Sequence, residues 1–241
     1  RYDRMLAYVY AGDVFVNADF PYPTIQLSTG ESVRLDAQAY TKYRASTQRA
    51  DRLAVFAAFW DRYNEYTRTL GTALGAQVQA HEFSRKIRKF DSALDAALFS
   101  DNIPTAVYTE LVADIHANLP TLHRYLRLRQ RMMGLDRLGY EDLYAPIVQK
   151  YDRRFTPEEA TAVTLEAVAP LGPEYQEILR NGFRSRWVDW FPSPGKRSCS
   201  YSTGAYRIHQ LWLHSFPARR SDDLTLAHEA GHSMHSFLAD R

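Results

Sequence analysis

The stretch Leu226–Ser236, which reads LAHEAGHSMHS, combines a helical pattern with chemically active side chains. Its histidines His228 and His232 are four residues apart, so an α-helix places them on one face, about 6 Å apart along the axis. Two imidazoles in this arrangement can bind one zinc ion, each at about 2.0–2.1 Å. Glu229 lies on the flank of the site, where its carboxylate can hydrogen-bond a zinc-bound water without binding the metal. The stretch therefore predicts one Zn²⁺ held by His228 and His232, with Glu229 as the general base.

The alternative is an ordinary exposed helix that happens to carry two histidines and a glutamate, because the HExxH pattern fixes only three positions. The neighbouring residues argue against a freely solvated helix, since they are mostly apolar: Leu224, Leu226, Ala227, Ala230 and Met234. Two histidines and a carboxylate on a buried helix need polar partners. A metal ion would supply them, which favours the zinc site typical of HExxH peptidases.

A third histidine, His235, lies seven residues after His228, about 10 Å along the helix axis. That distance is too long for all three histidines to bind one zinc ion from one straight helix. Position 238, where a longer metallopeptidase pattern has its third histidine, is Leu238. We therefore expect the third protein ligand elsewhere and a supporting structural role for His235 beside the two ligands.

Composition excludes several other classes of protein. The chain has 241 residues, 24% of them charged, with a formal net charge of +2, and it lacks the basic stripe of a nucleic-acid-binding protein. No apolar run approaches the roughly 18 residues that span a bilayer. Cys199 is the single cysteine, so no intramolecular disulfide can form, and nothing pairs it with a histidine as a nucleophile. We expect no nucleic acid or membrane partner and a cytoplasmic location. Both ends, at Arg1 and Arg241, look cut.

Upstream of the motif, hydrophobic periodicity predicts a mainly α-helical chain. Apolar residues recur at three- and four-residue steps between residues 53 and 78 and again between 108 and 126, so we expect each row to be a buried helix face. Pro120 should kink or divide the second of these helices. A further helix should begin at Thr156, with Glu159 completing a capping box.

Another helix should run from Glu174 to about Trp190, and the last one from about Asp222. β-structure is predicted at two places. Residues 25–27 and 32–35, separated by a Thr-Gly turn, are typical of a short hairpin, and residues 201–213 contain the β-prone residues of one or two strands.

The motif and its upstream flank resemble the oligoendopeptidase F family, relatives of thimet oligopeptidase. Gly231 before the second histidine and the trailing His235 are typical of its zinc helix. The upstream likeness lies in the segments Phe90–Leu94, Asp142–Pro146, Pro170–Tyr175, Arg186–Asp189, Gly195–Ser198, and Tyr201, Ser202, Gly204, Tyr206 and His209. The resemblance covers about residues 36–241.

The resemblance implies a mainly α-helical zinc peptidase with a thermolysin-like catalytic core, a deep channel and a small β element before the zinc helix. Residues 1–120 would form an N-terminal helical region, and residues 121–241 the start of the catalytic domain. It also implies a third zinc ligand, a glutamate on a later helix beyond Arg241. We further expect Tyr201–His209 to lie beside the zinc helix and add a peptide at its edge, with Gly204, Tyr206 and His209 binding substrate.

Two functions therefore stay open. The first is a zinc metalloendopeptidase that hydrolyses internal bonds of short peptides, with Glu229 as general base. The second is a catalytically inactive truncated fragment or helical binding module that keeps the fold without the chemistry. The missing third ligand separates them.

Residues 215–224 depart from the family's pattern and resemble the conceptual translation of a sequencing adapter. A divergent surface loop is the alternative, and we assign no function to Arg219 or Arg220.

Overall fold

The computed structural model describes residues 10–147, 155–191, 193, 196, 200–205, 208, 211–213 and 220–240, with the side chains of 211, 213 and 220–224 left out. Cys199, Tyr206, His209 and Arg219 lie outside this described part. The chain forms two compact units, residues 1–147 and 148–241.

The first unit contains a hairpin and five helices among its described elements. In the hairpin, β1 (Thr24–Gln26) pairs antiparallel with β2 (Ser32–Arg34), and Gly30 turns the chain with a φ of 84°. The helices are α1 Ala37–Tyr43, α2 Arg49–Glu65, α3 Thr67–Arg88, α4 Ala93–Leu98 and α5 Thr105–Met132. A π-helical turn, Phe15–Asp19, precedes the hairpin, and short 3₁₀ turns occur at Phe99–Asp101 and Tyr140–Asp142. The predicted hairpin is confirmed.

The core of the first unit lies between the hairpin and α2. Its buried members are Leu27, Val33, Leu35, Val55 and Phe59. Tyr40 stacks on Phe59 with ring centroids 4.1 Å apart, so α1 closes over the same cluster. Most of the apolar rows predicted to be buried contribute little to this core. On α5, Leu111 and Ile115 are each 54% exposed.

The second unit contains three helices and a three-stranded sheet in its described part. The helices are α6 Pro157–Ala167, α7 Pro173–Arg184 and α8 Arg220–Ala239, with a 3₁₀ turn at Ala169–Leu171. The strands β3 (Val188–Asp189), β4 (Tyr201–Thr203) and β5 (Leu211–Leu213) lie in the order β3-β5-β4, with β3 parallel and β4 antiparallel to β5. The predicted strands and last helix are confirmed.

Local chemistry explains the limits of α6 and α7. The Thr156 hydroxyl accepts from the Glu159 N–H while the Glu159 carboxylate accepts from the Thr156 N–H, which is the predicted capping box. The prediction that the next helix reaches Trp190 is wrong. Arg186 adopts a left-handed φ of 63°, and the Trp187 N–H donates to the Gly182 carbonyl at 3.2 Å, so the helix stops and β3 begins.

Helix α5 is relevant to two other expectations. Helix α5 is one element that runs through Pro120, so the proline does not divide it. Residue 120, the expected end of the N-terminal helical region, lies inside this helix, and the chain divides into its two compact units after residue 147. A proline removes one N–H donor from a helix, and the 28 residues of α5 supply enough other bonds to keep it continuous.

Candidate active site

Helix α8 has two different faces. Leu226, Ala230 and Met234 are at most 1% exposed and pack into the core of the second unit with Leu179 and Trp212. These three residues follow steps of four along the helix, which is the spacing of one helical face. The three histidines are exposed and lie away from this face: His228, His232 and His235. The helix is therefore half buried, and its apolar neighbours anchor it while the imidazoles remain accessible.

The two imidazoles of the motif converge. The Nε2 atoms of His228 and His232 are 3.0 Å apart, and their ring centroids are 4.7 Å apart. Two nitrogens that bind one tetrahedral ion at 2.0–2.1 Å stand about 3.3 Å apart. The pair therefore fits two ligands of one zinc ion with little movement of either ring. Without an ion, one Nε2 must donate a hydrogen to the other.

Glu229 differs from its histidine neighbours because it is only 7% exposed. One helical position separates it from His228, so it lies at the border between the exposed and buried faces of α8. A carboxylate held there loses part of its hydration, and it needs hydrogen-bond donors from water or substrate. Glu229 therefore lies beside the histidine pair with little contact with solvent.

Strand β4 packs against the same helix. The Oγ atoms of Ser202 on β4 and Ser233 on α8 are 2.5 Å apart, and Ser233 is fully buried. Gly204, one of the residues expected to bind substrate, is exposed and follows β4 directly. The other two, Tyr206 and His209, lie outside the described residues. Neither serine has an assigned role from sequence alone, although Ser233 stands one helical turn after Ala230 on the apolar face, where a polar residue indicates a specific partner.

The described residues contain no group of three or more His, Cys, Asp or Glu side chains that could hold a metal ion. His235 is exposed on the same helix, and its supporting role beside the two ligands stays a prediction. The expected glutamate ligand beyond Arg241 stays a prediction.

The second unit thus places an HExxH helix beside a small three-stranded sheet. The chain belongs to Peptidase family M3, which it matches over residues 42–241. It is 37% identical over 224 residues to oligopeptidase PepF of Bacillus subtilis, covering 93% of this chain and 33% of that protein. The resemblance to the oligoendopeptidase F family is thereby confirmed.

Two solved structures share this fold. The oligoendopeptidase-F of Enterococcus faecium is 34% identical with a TM-score of 0.61, over 76% of this chain and 34% of that one. A Chlamydophila abortus protein described as a peptidase is 32% identical with a TM-score of 0.69, over 99% of this chain and 40% of that one. The chain thus spans about a third of the length of the curated relative above. In the described part, no helix is long and apolar enough to cross a bilayer.

Proposed function

We propose that this chain carries two metal ligands and the general base of a zinc-dependent oligoendopeptidase that hydrolyses internal bonds of short peptides. The observation that carries the proposal is the convergence of the His228 and His232 Nε2 atoms to 3.0 Å on the exposed face of α8. A hydrogen bond between the two rings could also bring these nitrogens together, but their separation is close to the spacing of about 3.3 Å that two ligands of one tetrahedral zinc ion need. Membership of Peptidase family M3 supports the same reaction class.

His228 and His232 would hold the zinc ion through Nε2. When bound, zinc polarises the scissile carbonyl and lowers the pKa of a water molecule towards ~7. The buried residues Leu226, Ala230 and Met234 fix the helix, so the two imidazoles keep their mutual geometry without help from the metal. A third ligand is still required, and we propose a glutamate from a later helix of the complete protein.

Glu229 would act as the general base. Its carboxylate takes a proton from the attacking water and passes that proton to the amine that leaves when the peptide bond breaks. The position of Glu229, next to His228 in the chain and only 7% exposed, supports this role because it places a carboxylate beside the histidine pair.

Strand β4 would bind the substrate backbone. It lies at an edge of the three-stranded sheet and packs on α8, so an extended peptide could pair with it beside the histidines. Gly204 would allow close approach of the peptide, and Tyr206 and His209 would contact its side chains or backbone. Short peptides are therefore the proposed partners.

The test replaces Glu229 by Gln in the complete enzyme. We expect kcat to fall by about 10²–10⁴-fold, because proton transfer by a positioned group contributes that much, while zinc content stays at the wild-type level. Asp240→Asn, which changes another acid on the same segment, is the matched control and should leave kcat unchanged. A Glu229→Gln enzyme that keeps both its zinc and near-normal activity would refute the assignment.

A further inference from the structure

The bond between Ser202 and Ser233 is a specific link between the sheet edge and the histidine helix. The two Oγ atoms are 2.5 Å apart, at the short end of the range for O–H···O hydrogen bonds. Ser233 is fully buried and directly follows His232 in the chain. A serine within a helix commonly bonds to a carbonyl of its own helix, whereas this one reaches a strand.

The register of the sheet explains why Ser202 points at the helix. Ser202 lies directly opposite Trp212 in the β4–β5 pair, so both side chains are on one face of the sheet. Trp212 is fully buried and packs in the same cluster as Leu226, Ala230 and Met234 of α8. Ser202 is therefore the polar residue of β4 that faces α8, and Tyr201 and Thr203 face the other way.

Apolar packing alone leaves a strand free to slide along a helix by small amounts, since dispersion contacts are weakly directional. A hydrogen bond between two hydroxyls has a narrow range of distance and angle. The link thus fixes one point of the edge strand against one point of the helix, and that point is one residue away from a metal ligand.

We infer that Ser202 and Ser233 are positioning residues, which hold β4 at a fixed place along α8 and so set where an extended peptide lies relative to His228 and His232. The inference rests on the proposed function for its substrate, a short peptide added to the edge of β4. Neither serine touches the peptide's reacting atoms. Their effect is on how well the peptide backbone is placed.

The experiment uses the complete enzyme with Ser202→Ala, Ser233→Ala and both changes together. Ser202→Thr is the conservative variant, which keeps a hydroxyl at this position, and Thr203→Ala is the matched control, which removes a hydroxyl from the opposite face of the same strand. KM and kcat are measured on a short peptide, together with zinc content and hydrogen exchange of the amides of residues 201–203.

We expect each serine-to-alanine change to raise KM by about 2- to 10-fold, the factor that one neutral hydrogen bond contributes. We expect kcat within about twofold of wild type and unchanged zinc content. The double variant should be no worse than either single one, since both remove the same bond. Ser202→Thr should restore KM, and exchange at residues 201–203 should accelerate in the alanine variants of the serines alone.

A KM and an exchange rate that match those of Thr203→Ala would overturn the inference, as would effects that multiply in the double variant. An enzyme that depends on Glu229 but ignores both serines refutes the link and leaves the proposed function standing. If instead Glu229→Gln is fully active, the proposed function fails, and faster exchange confined to the serine variants still supports the link between β4 and α8.

Discussion

At the scale of single residues, Asp142 is a fully buried carboxylate that two arginines contact. Its side chain is fully buried and accepts hydrogen bonds from the guanidinium groups of Arg49 and Arg52 and from the Gly139 N–H. Burial alone would raise the pKa of this carboxyl, but the bonds from Arg49 and Arg52 outweigh it and hold the pKa below its ordinary value. Arg129 also donates hydrogen bonds to the backbone carbonyls of Asp142 and Ala145, so ion pairs and hydrogen bonds together hold the segment 142–145.

Replacing Asp142 by Asn should lower the free energy of unfolding by about 3–5 kcal/mol, because Arg52 is only 3% exposed and loses its buried counter-ion. Denaturant titration measures this change, and Asp136→Asn, in an exposed position of the preceding loop, is the control. A loss below about 1 kcal/mol would mean that the backbone contacts of Arg52 suffice.

The ion pair between Asp142 and Arg52 also makes the free energy of unfolding depend on pH. The folded pKa of Asp142 lies below that of the unfolded chain, so its contribution is complete above the ordinary aspartate pKa of about 3.9. Stability should fall as the pH drops from about 4 towards the lower folded pKa, because the unfolded chain then binds the proton more readily. Denaturant titrations between about pH 3 and 6 should show that the free energy of unfolding falls less steeply with decreasing pH for Asp142→Asn than for wild type. Equal slopes would contradict the assignment.

At the scale of elements, α7 packs closely against Trp187, three residues beyond its end at Arg184, and this close contact depends on Gly182. A Cβ atom at this position would lie 2.5 Å from the Trp187 ring, so Gly182→Ala should force a shift. We expect a loss of about 1–3 kcal/mol in unfolding free energy, as for other overpacked cores. Gly75→Ala in α3 is the matched control, because nothing lies within 4 Å of its Cβ, and it should stabilise by roughly 0.5–1 kcal/mol. Similar effects at both glycines would contradict the packing argument.

Local chemistry made some elements predictable and left others open. The capping box at Thr156 and the turn at Gly30 depend only on neighbouring residues, and both could be predicted from the sequence. The end of α7 depends on Arg186, which adopts a left-handed conformation that its side chain does not favour, so the sequence carried no signal for it. In the site, the spacing of His228 and His232 was sufficient to predict their shared face. The link from Ser202 to Ser233 needed the register of the sheet.

At the scale of the whole chain, helix α5 shows why periodicity did not predict burial. A repeat at three and four residues identifies an apolar face, but it contains no information on whether a partner covers that face. Tyr108, Leu111, Ile115 and Leu122 are between 47% and 54% exposed.

Because this apolar face of α5 is exposed, we expect residues 1–241, expressed alone, to self-associate as the protein concentration rises. Analytical ultracentrifugation should detect the self-association. The double variant Leu111→Glu with Ile115→Lys should reduce self-association more than the matched control, Ala113→Glu with Ala117→Lys. Equal effects would contradict a role for the apolar face.

The number of ligands leads to the last prediction, which concerns metal binding. Catalytic zinc normally has three protein ligands and a water molecule, and the described residues place two histidines together, 3.0 Å apart at Nε2. With two ligands, the ion is held weakly and a bound water has no fixed orientation, so residues 1–241 alone should bind zinc weakly and cleave no peptide.

For the complete enzyme, chelation of the metal should abolish peptidase activity, and added zinc should restore that activity. Titration with a competing chromophoric chelator compares the two proteins, with His232→Ala as the variant that removes a ligand and His235→Ala as its control. If residues 1–241 alone retain stoichiometric zinc and peptidase activity, a third ligand must lie within this chain.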